Sequence, residues 1–81
     1  MNKLLIFSAS WCKPCQMMKP VIDELNSPQV IKYDFDKDKD KVEQYRVPGV
    51  PCYILVDDNN SELDIVLGVT TKDVLEGLLS R

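Results

Sequence analysis

Cys12 and Cys15, in the run Trp11-Cys12-Lys13-Pro14-Cys15, are the side chains of this sequence best suited to covalent chemistry. Two thiols at that spacing can close a small disulfide and reopen it, and the thiolate is the form that attacks another disulfide. The motif sits where a strand should hand over to a helix. Lys3-Leu4-Leu5-Ile6-Phe7 reads as a short buried strand, and from Cys15 to about Leu25 the apolar residues Met18, Val21, Ile22 and Leu25 follow helical spacing. A helix beginning at the motif aims its free N–H groups and the positive end of its dipole at the Cys12 sulfur, favouring the thiolate. The pattern points to a dithiol–disulfide exchanger in which Cys12 attacks and Cys15 resolves. Cys12 is then expected to be the more exposed and more acidic thiol. The alternative is a pair of buried structural cysteines.

The elements that must position this motif fit in one domain spanning residues 1–81. At 44% hydrophobic the chain is of ordinary globular composition, and its net charge of −3 argues against binding nucleic acid or an anionic membrane. No apolar run approaches the roughly 18 residues of a membrane span. Met1-Asn2-Lys3 and the four apolar residues after it are too short for a secretory signal. Three cysteines without an export signal suggest a reducing, cytoplasmic setting rather than a disulfide framework.

After the first helix, Asn26-Ser27-Pro28 supplies a stop, and residues 30–35 read as a second strand, parallel to the first through a right-handed crossover. The acid–base run from Asp34 to Lys41 reads as a solvated loop feeding a short helix, with Asp38 or Asp40 as its N-cap. Val47-Pro48-Gly49-Val50-Pro51 breaks that helix. Residues 52–56 and 63–67 form a hairpin around Asp57-Asp58-Asn59-Asn60, and Gly68 ends the second strand. Thr70 or Thr71 then caps a last helix with an apolar face of Val74, Leu75, Leu78 and Leu79. The expected order is β-α-β-α-β-β-α: an α/β fold with a four-stranded mixed sheet and helices on both faces.

In this frame the chain resembles the thioredoxin family. WCKPC, Pro20 downstream of it, Gly49-Val50-Pro51 before the third strand, and Gly68 before the last helix all fall where that family places them. The resemblance implies a minimal thioredoxin/glutaredoxin-like fold and a cis Val50–Pro51 bond. It implies that Pro51 lies beside the redox cysteines, and that the Val50 backbone pairs with an extended substrate segment. Trp11 would shield the motif and offer partners a flat surface, or simply pack in the core. Pro14 suits the first helical turn, where its missing N–H is no loss. Lys13 either tunes the thiolate or is solvated. The resemblance further implies reduction of protein disulfides, ribonucleotide reductase among the substrates, by a monomer without a cofactor. A thioredoxin reductase would recycle it.

Three departures matter. Thioredoxins begin with an extra strand and helix for which this chain has no residues, so its length is glutaredoxin-like. The buried aspartate expected six positions before the first cysteine is Ile6, while its companion lysine remains as Lys32. Lys32 faces either the active-site side or solvent at a sheet edge. Glutaredoxin marks are weaker: the cysteines flank Lys-Pro, and a single Gly68 stands in place of a Gly-Gly pair. Coupling to glutathione is therefore the runner-up. Cys52, directly after Pro51, reads first as core packing. It could instead join Cys12 and Cys15 in a thiolate metal or iron–sulfur site, although the chain has no histidine. A third class is a binding module that docks partners through the same surface without turnover.

Overall fold

Strands β1 (Lys3–Ser8) and β3 (Cys52–Val56) are the two apolar runs with no polar alternation, and they occupy the centre of the sheet. The computed structural model describes residues 1–81. Its remaining elements are α1 (Lys13–Leu25), β2 (Val30–Asp34), α2 (Lys39–Gln44), β4 (Glu62–Leu67) and α3 (Lys72–Leu79). The strand order is β2-β1-β3-β4. β1 and β2 run parallel, while β1–β3 and β3–β4 are antiparallel.

Because side chains alternate across a sheet, each central strand serves two cores. Leu4, Ile6, Tyr53 and Leu55 meet Met18 and Ile22 of α1 and Leu75 and Leu78 of α3. Leu5, Phe7, Cys52, Ile54 and Val56 form the other face with Val47, and Val42 and Tyr45 cover part of it. Phe7 stacks on Tyr33 at 5.3 Å between ring centroids.

The local signals act in detail, with two corrections. Asn26 adopts the left-handed conformation (φ 42°) that ends α1, and the Thr71 hydroxyl accepts the Val74 N–H at 3.3 Å to start α3. Asp38 stands at the N-cap of α2, yet its carboxylate caps nothing there. Its Oδ2 instead accepts the Asp34 N–H at 2.8 Å and ties the turn back to the end of β2. Val74 is not on the buried face of α3: Leu75 and Leu78 fill the available core, and Val74 remains 43% exposed.

One core group is out of place. The Tyr53 hydroxyl is buried without a hydrogen-bond partner. Burial, and secondarily the neighbouring Cys52, pushes its ionisation up to about 12. An unmet buried hydroxyl costs about 1–3 kcal/mol. Tyr53→Phe is therefore expected to raise the unfolding free energy by about 1 kcal/mol in urea titrations, since it deletes the orphan group and keeps the ring. A loss of stability of that size would show that the hydroxyl has a partner in solution.

Candidate active site

The site is assembled where β1 ends and α1 begins. Beyond Ser8, the Ala9 carbonyl accepts the Cys12 N–H at 3.1 Å, which turns the chain into α1. Cys12 is the N-cap of that helix with extended backbone (φ −91°, ψ 110°), and Pro14 sits in the first turn. The first turn of a helix has N–H groups without intrahelical partners, and a cap atom satisfies one of them. Here the cap atom is sulfur: the Cys15 N–H donates to Cys12 Sγ at 3.2 Å. That bond and the helix dipole both stabilise negative charge on Cys12 when the pair is reduced.

Cys12 and Cys15 are joined as a disulfide with Cα atoms 5.2 Å apart, inside the usual range for such a bond. Exposure does not separate the two sulfurs as expected: Cys12 is 4% and Cys15 6% exposed. The reason is the cover over Cys12, since Ala9, Phe35 and Val50 pack against the pair. What distinguishes the cysteines is direction. Cys12 Sγ lies 3.7 Å from the Val50 carbonyl oxygen, on the side of the Val50–Pro51 loop. Cys15, unlike Cys12, lines a cleft of about 360 Å³ with Ile6, Ser8, Lys19, Asp23, Lys32 and Asp34.

The Val50–Pro51 bond is cis, Pro51 is buried, and its carbonyl accepts the Gly68 N–H at 2.9 Å. Gly68 has φ +82°, a left-handed conformation open to glycine without steric cost. Pro48, Gly49, Val50, Pro51, Leu67 and Gly68 line a shallow groove of about 220 Å³, and Val50 also packs against the cysteine pair. The Val50 N–H donates to no backbone carbonyl. Trp11 is not core: it is 62% exposed, its edge meets Phe35, and its indole N–H donates to Asp36 Oδ2 at 2.8 Å. Lys13 is exposed and forms no ion pair.

Lys32 combines both expected placements. It is 58% exposed on edge strand β2, yet it faces α1, where its ammonium pairs with Asp23 at 3.2 Å on the rim of the Cys15 cleft. Ile6 forms an apolar part of the same cleft. Cys52 belongs to the opposite core face with Phe7 and Ile54, and no cluster of three metal-ligating side chains exists. The three sulfurs therefore do not converge as a metal site would require. Burial, and then the charge of Glu62, pushes the Cys52 thiol up to about 11.

Two neighbours of the site lie in the acid–base run that reads as solvated loop. Asp36 braces Trp11, and Asp34 reaches the cleft behind Cys15. Their only sequence signal is that aspartates at positions 34, 36 and 38 close a parallel strand whose end must lie beside the motif.

The thioredoxin family model matches residues 1–81, the whole chain. The chain belongs to the thioredoxin family of thiol–disulfide oxidoreductases. It is 37% identical to thioredoxin H2 of Arabidopsis thaliana, covering 99% of this chain and 63% of that protein. It is also 37% identical to the thioredoxin of Chlamydia trachomatis, covering 96% of this chain and 79% of the other. Among solved structures it superposes on a single-substitution mutant of thioredoxin from Halobacterium salinarum with a TM-score of 0.86 at 34% identity. That match spans 98% of this chain and 72% of the archaeal one. The four-stranded sheet with three helices is thus a thioredoxin fold. No helix is long and apolar enough to cross a membrane.

These surroundings set an order of reactivity. After reduction, brief iodoacetamide treatment at neutral pH is expected to label Cys12 first and to spare Cys52. The Cys15 N–H supports a thiolate at Cys12, whereas burial holds Cys52 protonated. Peptide mapping checks this, and labelling of Cys15 or Cys52 ahead of Cys12 would reverse the roles given to them.

Proposed function

We propose that this chain reduces protein disulfides through Cys12 and Cys15 and is returned to the dithiol by a thioredoxin reductase. The observation that carries the reading is the position of Cys12 Sγ. It is held by a helix-terminal N–H and lies against the Val50–Pro51 loop, where a groove with an open backbone donor can receive a substrate segment.

Cys12 thiolate attacks one sulfur of the substrate disulfide. The substrate's other sulfur leaves, and a Cys12–substrate mixed disulfide forms. Cys15 then attacks Cys12 Sγ, which releases the reduced substrate and closes the Cys12–Cys15 disulfide. Trp11, Val50 and Pro51 are the surface that meets the substrate, with ribonucleotide reductase among the candidate substrates. Pro14 and Lys13 shape the first turn of α1 and its field at Cys12. Residues 1–81 act as one monomeric domain in a reducing, cytoplasmic compartment.

Insulin reduction tests the reading. Turnover is expected with NADPH and thioredoxin reductase, and little with glutathione, glutathione reductase and NADPH. Turnover confined to the glutathione arm would replace the reductase with the glutathione system. Failure in both arms, with activity restored by dithiothreitol, would leave the exchange chemistry and remove both proposed reductants.

A further inference from the structure

Resolution requires Cys15 to lose a proton, and the structure restricts where that proton can go. Cys15 is buried, with Ala9, Phe35 and Val50 packed against the cysteine pair, and the one cavity it borders is the cleft lined by α1 and strands β1 and β2. At the position of the family's buried aspartate this cleft presents Ile6, which can accept no proton. It presents two other carboxylates, Asp23 and Asp34.

They are not equivalent. Asp23 lies eight residues beyond Cys15 on the same helix, which at 1.5 Å per residue is about 12 Å along the axis. It is also committed to Lys32 at 3.2 Å. Asp34 is at the other end of the cleft. In the parallel register it stands opposite Ser8, the residue from which the chain turns toward the motif. None of the ion pairs in the structure involves it. Its Oδ1 accepts the N–H groups of Asp36 and Lys37 at 2.8 and 3.0 Å, which fixes the carboxylate in place. Its Oδ2 has no protein partner. The cleft is wide enough for ordered water, and Ser8, Gln16 and Asp34 supply the polar groups that water needs.

We propose that Asp34 accepts the Cys15 proton, through water in this cleft, as Cys15 attacks the mixed disulfide. This rests on the Cys12-attacks, Cys15-resolves reading above. The Cys15 S–H proton passes by way of water to the Asp34 carboxylate. The electron pair left on Cys15 Sγ forms the bond to Cys12 Sγ. The bond between Cys12 and the substrate sulfur breaks, and its pair departs on the substrate as a thiolate. Asp34 then returns its proton to that thiolate or to solvent. The other charges facing Asp34 are Lys19 and Asp23 from α1 and Lys32 on its own strand. Asp36, Lys37 and Asp38 follow in the turn, and β1 contributes only the uncharged Ser8.

Reduced protein mixed with the aromatic disulfide 5,5′-dithiobis(2-nitrobenzoate) reads both steps in one trace. The first nitrothiobenzoate released reports attack by Cys12 and the second reports resolution by Cys15. Asp34→Asn keeps an oxygen for the two backbone N–H groups and removes the proton acceptor. The first phase is expected to stay within about twofold and the second to slow about tenfold or more near neutral pH, toward the low end of general-base effects. The slowing should fade above pH ~9, where a thiol ionises unaided. Asp23→Asn should leave both phases as they are. An unchanged first phase shows that Asp34→Asn is folded, so an unchanged second phase beside it overturns the proposal. Slowing in Asp23→Asn instead would overturn it as well. A parent with no first phase would overturn the Cys12 reading on which it rests.

Discussion

Cys15→Ser is expected to stop each turnover at a covalent complex between Cys12 and the substrate. Cys12→Ser should form no complex, and its reduction rate should fall by several orders of magnitude. The difference follows from the two ends of the disulfide. Cys12 Sγ lies against the Val50 carbonyl, in the loop proposed to meet the substrate, and receives the Cys15 N–H, so on that reading it is the sulfur that acts as a thiolate toward an incoming disulfide. A serine hydroxyl at position 12 stays protonated and is a poor nucleophile toward sulfur. With serine at position 15 the first step survives, because the helix-terminal N–H belongs to the backbone and is retained. The second step has no nucleophile. Intact-mass measurement of each variant after exposure to an excess of disulfide peptide checks this. A stoichiometric adduct is expected for Cys15→Ser, reversed by dithiothreitol, and none for Cys12→Ser. Normal turnover by Cys15→Ser would mean that a substrate thiol or another group resolves the mixed disulfide. The same adduct on Cys12→Ser would move the nucleophile elsewhere.

The local part of this site is legible in the sequence because its determinants are local. The CxxC spacing, Pro14 in the first turn and the apolar period of α1 all lie within a single short stretch of chain. Thr71 as a cap and Asn26 as a left-handed stop are equally short-range. What resists reading depends on pairing between distant strands. The bond from Trp11 to Asp36 joins residues 25 apart, and it exists only because β2 lies parallel to β1 with Ser8 opposite Asp34. The same register gathers Asp34, Lys32 and Asp23 behind Cys15 from two elements that share no sequence pattern. Asp38 illustrates the competition in small. Its type and position announce a cap, but the nearer unpaired donor in the folded chain is the Asp34 N–H, and that donor takes the carboxylate. Burial of the motif is likewise invisible in the sequence, since Val50 arrives from 38 residues away to cover Cys12. Cys52 shows the opposite case. A cysteine flanked by Pro51 and the apolar run 53–56 has little choice but to enter the core, and it does.

Ile6→Asp is expected to lower the unfolding free energy at neutral pH by about 3–5 kcal/mol, the usual cost of an uncompensated buried charge. Ile6 is 1% exposed and packs with Leu4, Met18 and Tyr53 in the larger core face. Its neighbours in register are Lys32 on β2 and Tyr53 on β3. Lys32 could turn inward only by leaving Asp23, and the Tyr53 hydroxyl offers a single unpaired donor. Neither supplies the full shell that a buried carboxylate needs, so desolvation raises the new group's folded-state pKa above its unfolded value of about 3.9. The sign of the pH dependence follows. Above about pH 3.9 the unfolded chain ionises while the folded chain resists, so the penalty grows with pH from there and is complete only above the raised folded-state pKa. As pH falls toward about 4 the unfolded chain takes up its proton, and the penalty relative to the parent shrinks to the lost isoleucine packing. Urea titrations of parent and variant at about pH 7 and about pH 4 measure the difference directly. A carboxylate beside the Cys15 cleft also gives resolution a second proton acceptor, so the variant's second-phase rate should gain a pH-dependent contribution that the parent lacks. A penalty equal at both pH values would mean that the new carboxylate reaches solvent through the cleft. Position 6 would then be open to water, despite the 1% exposure of Ile6 in the folded chain.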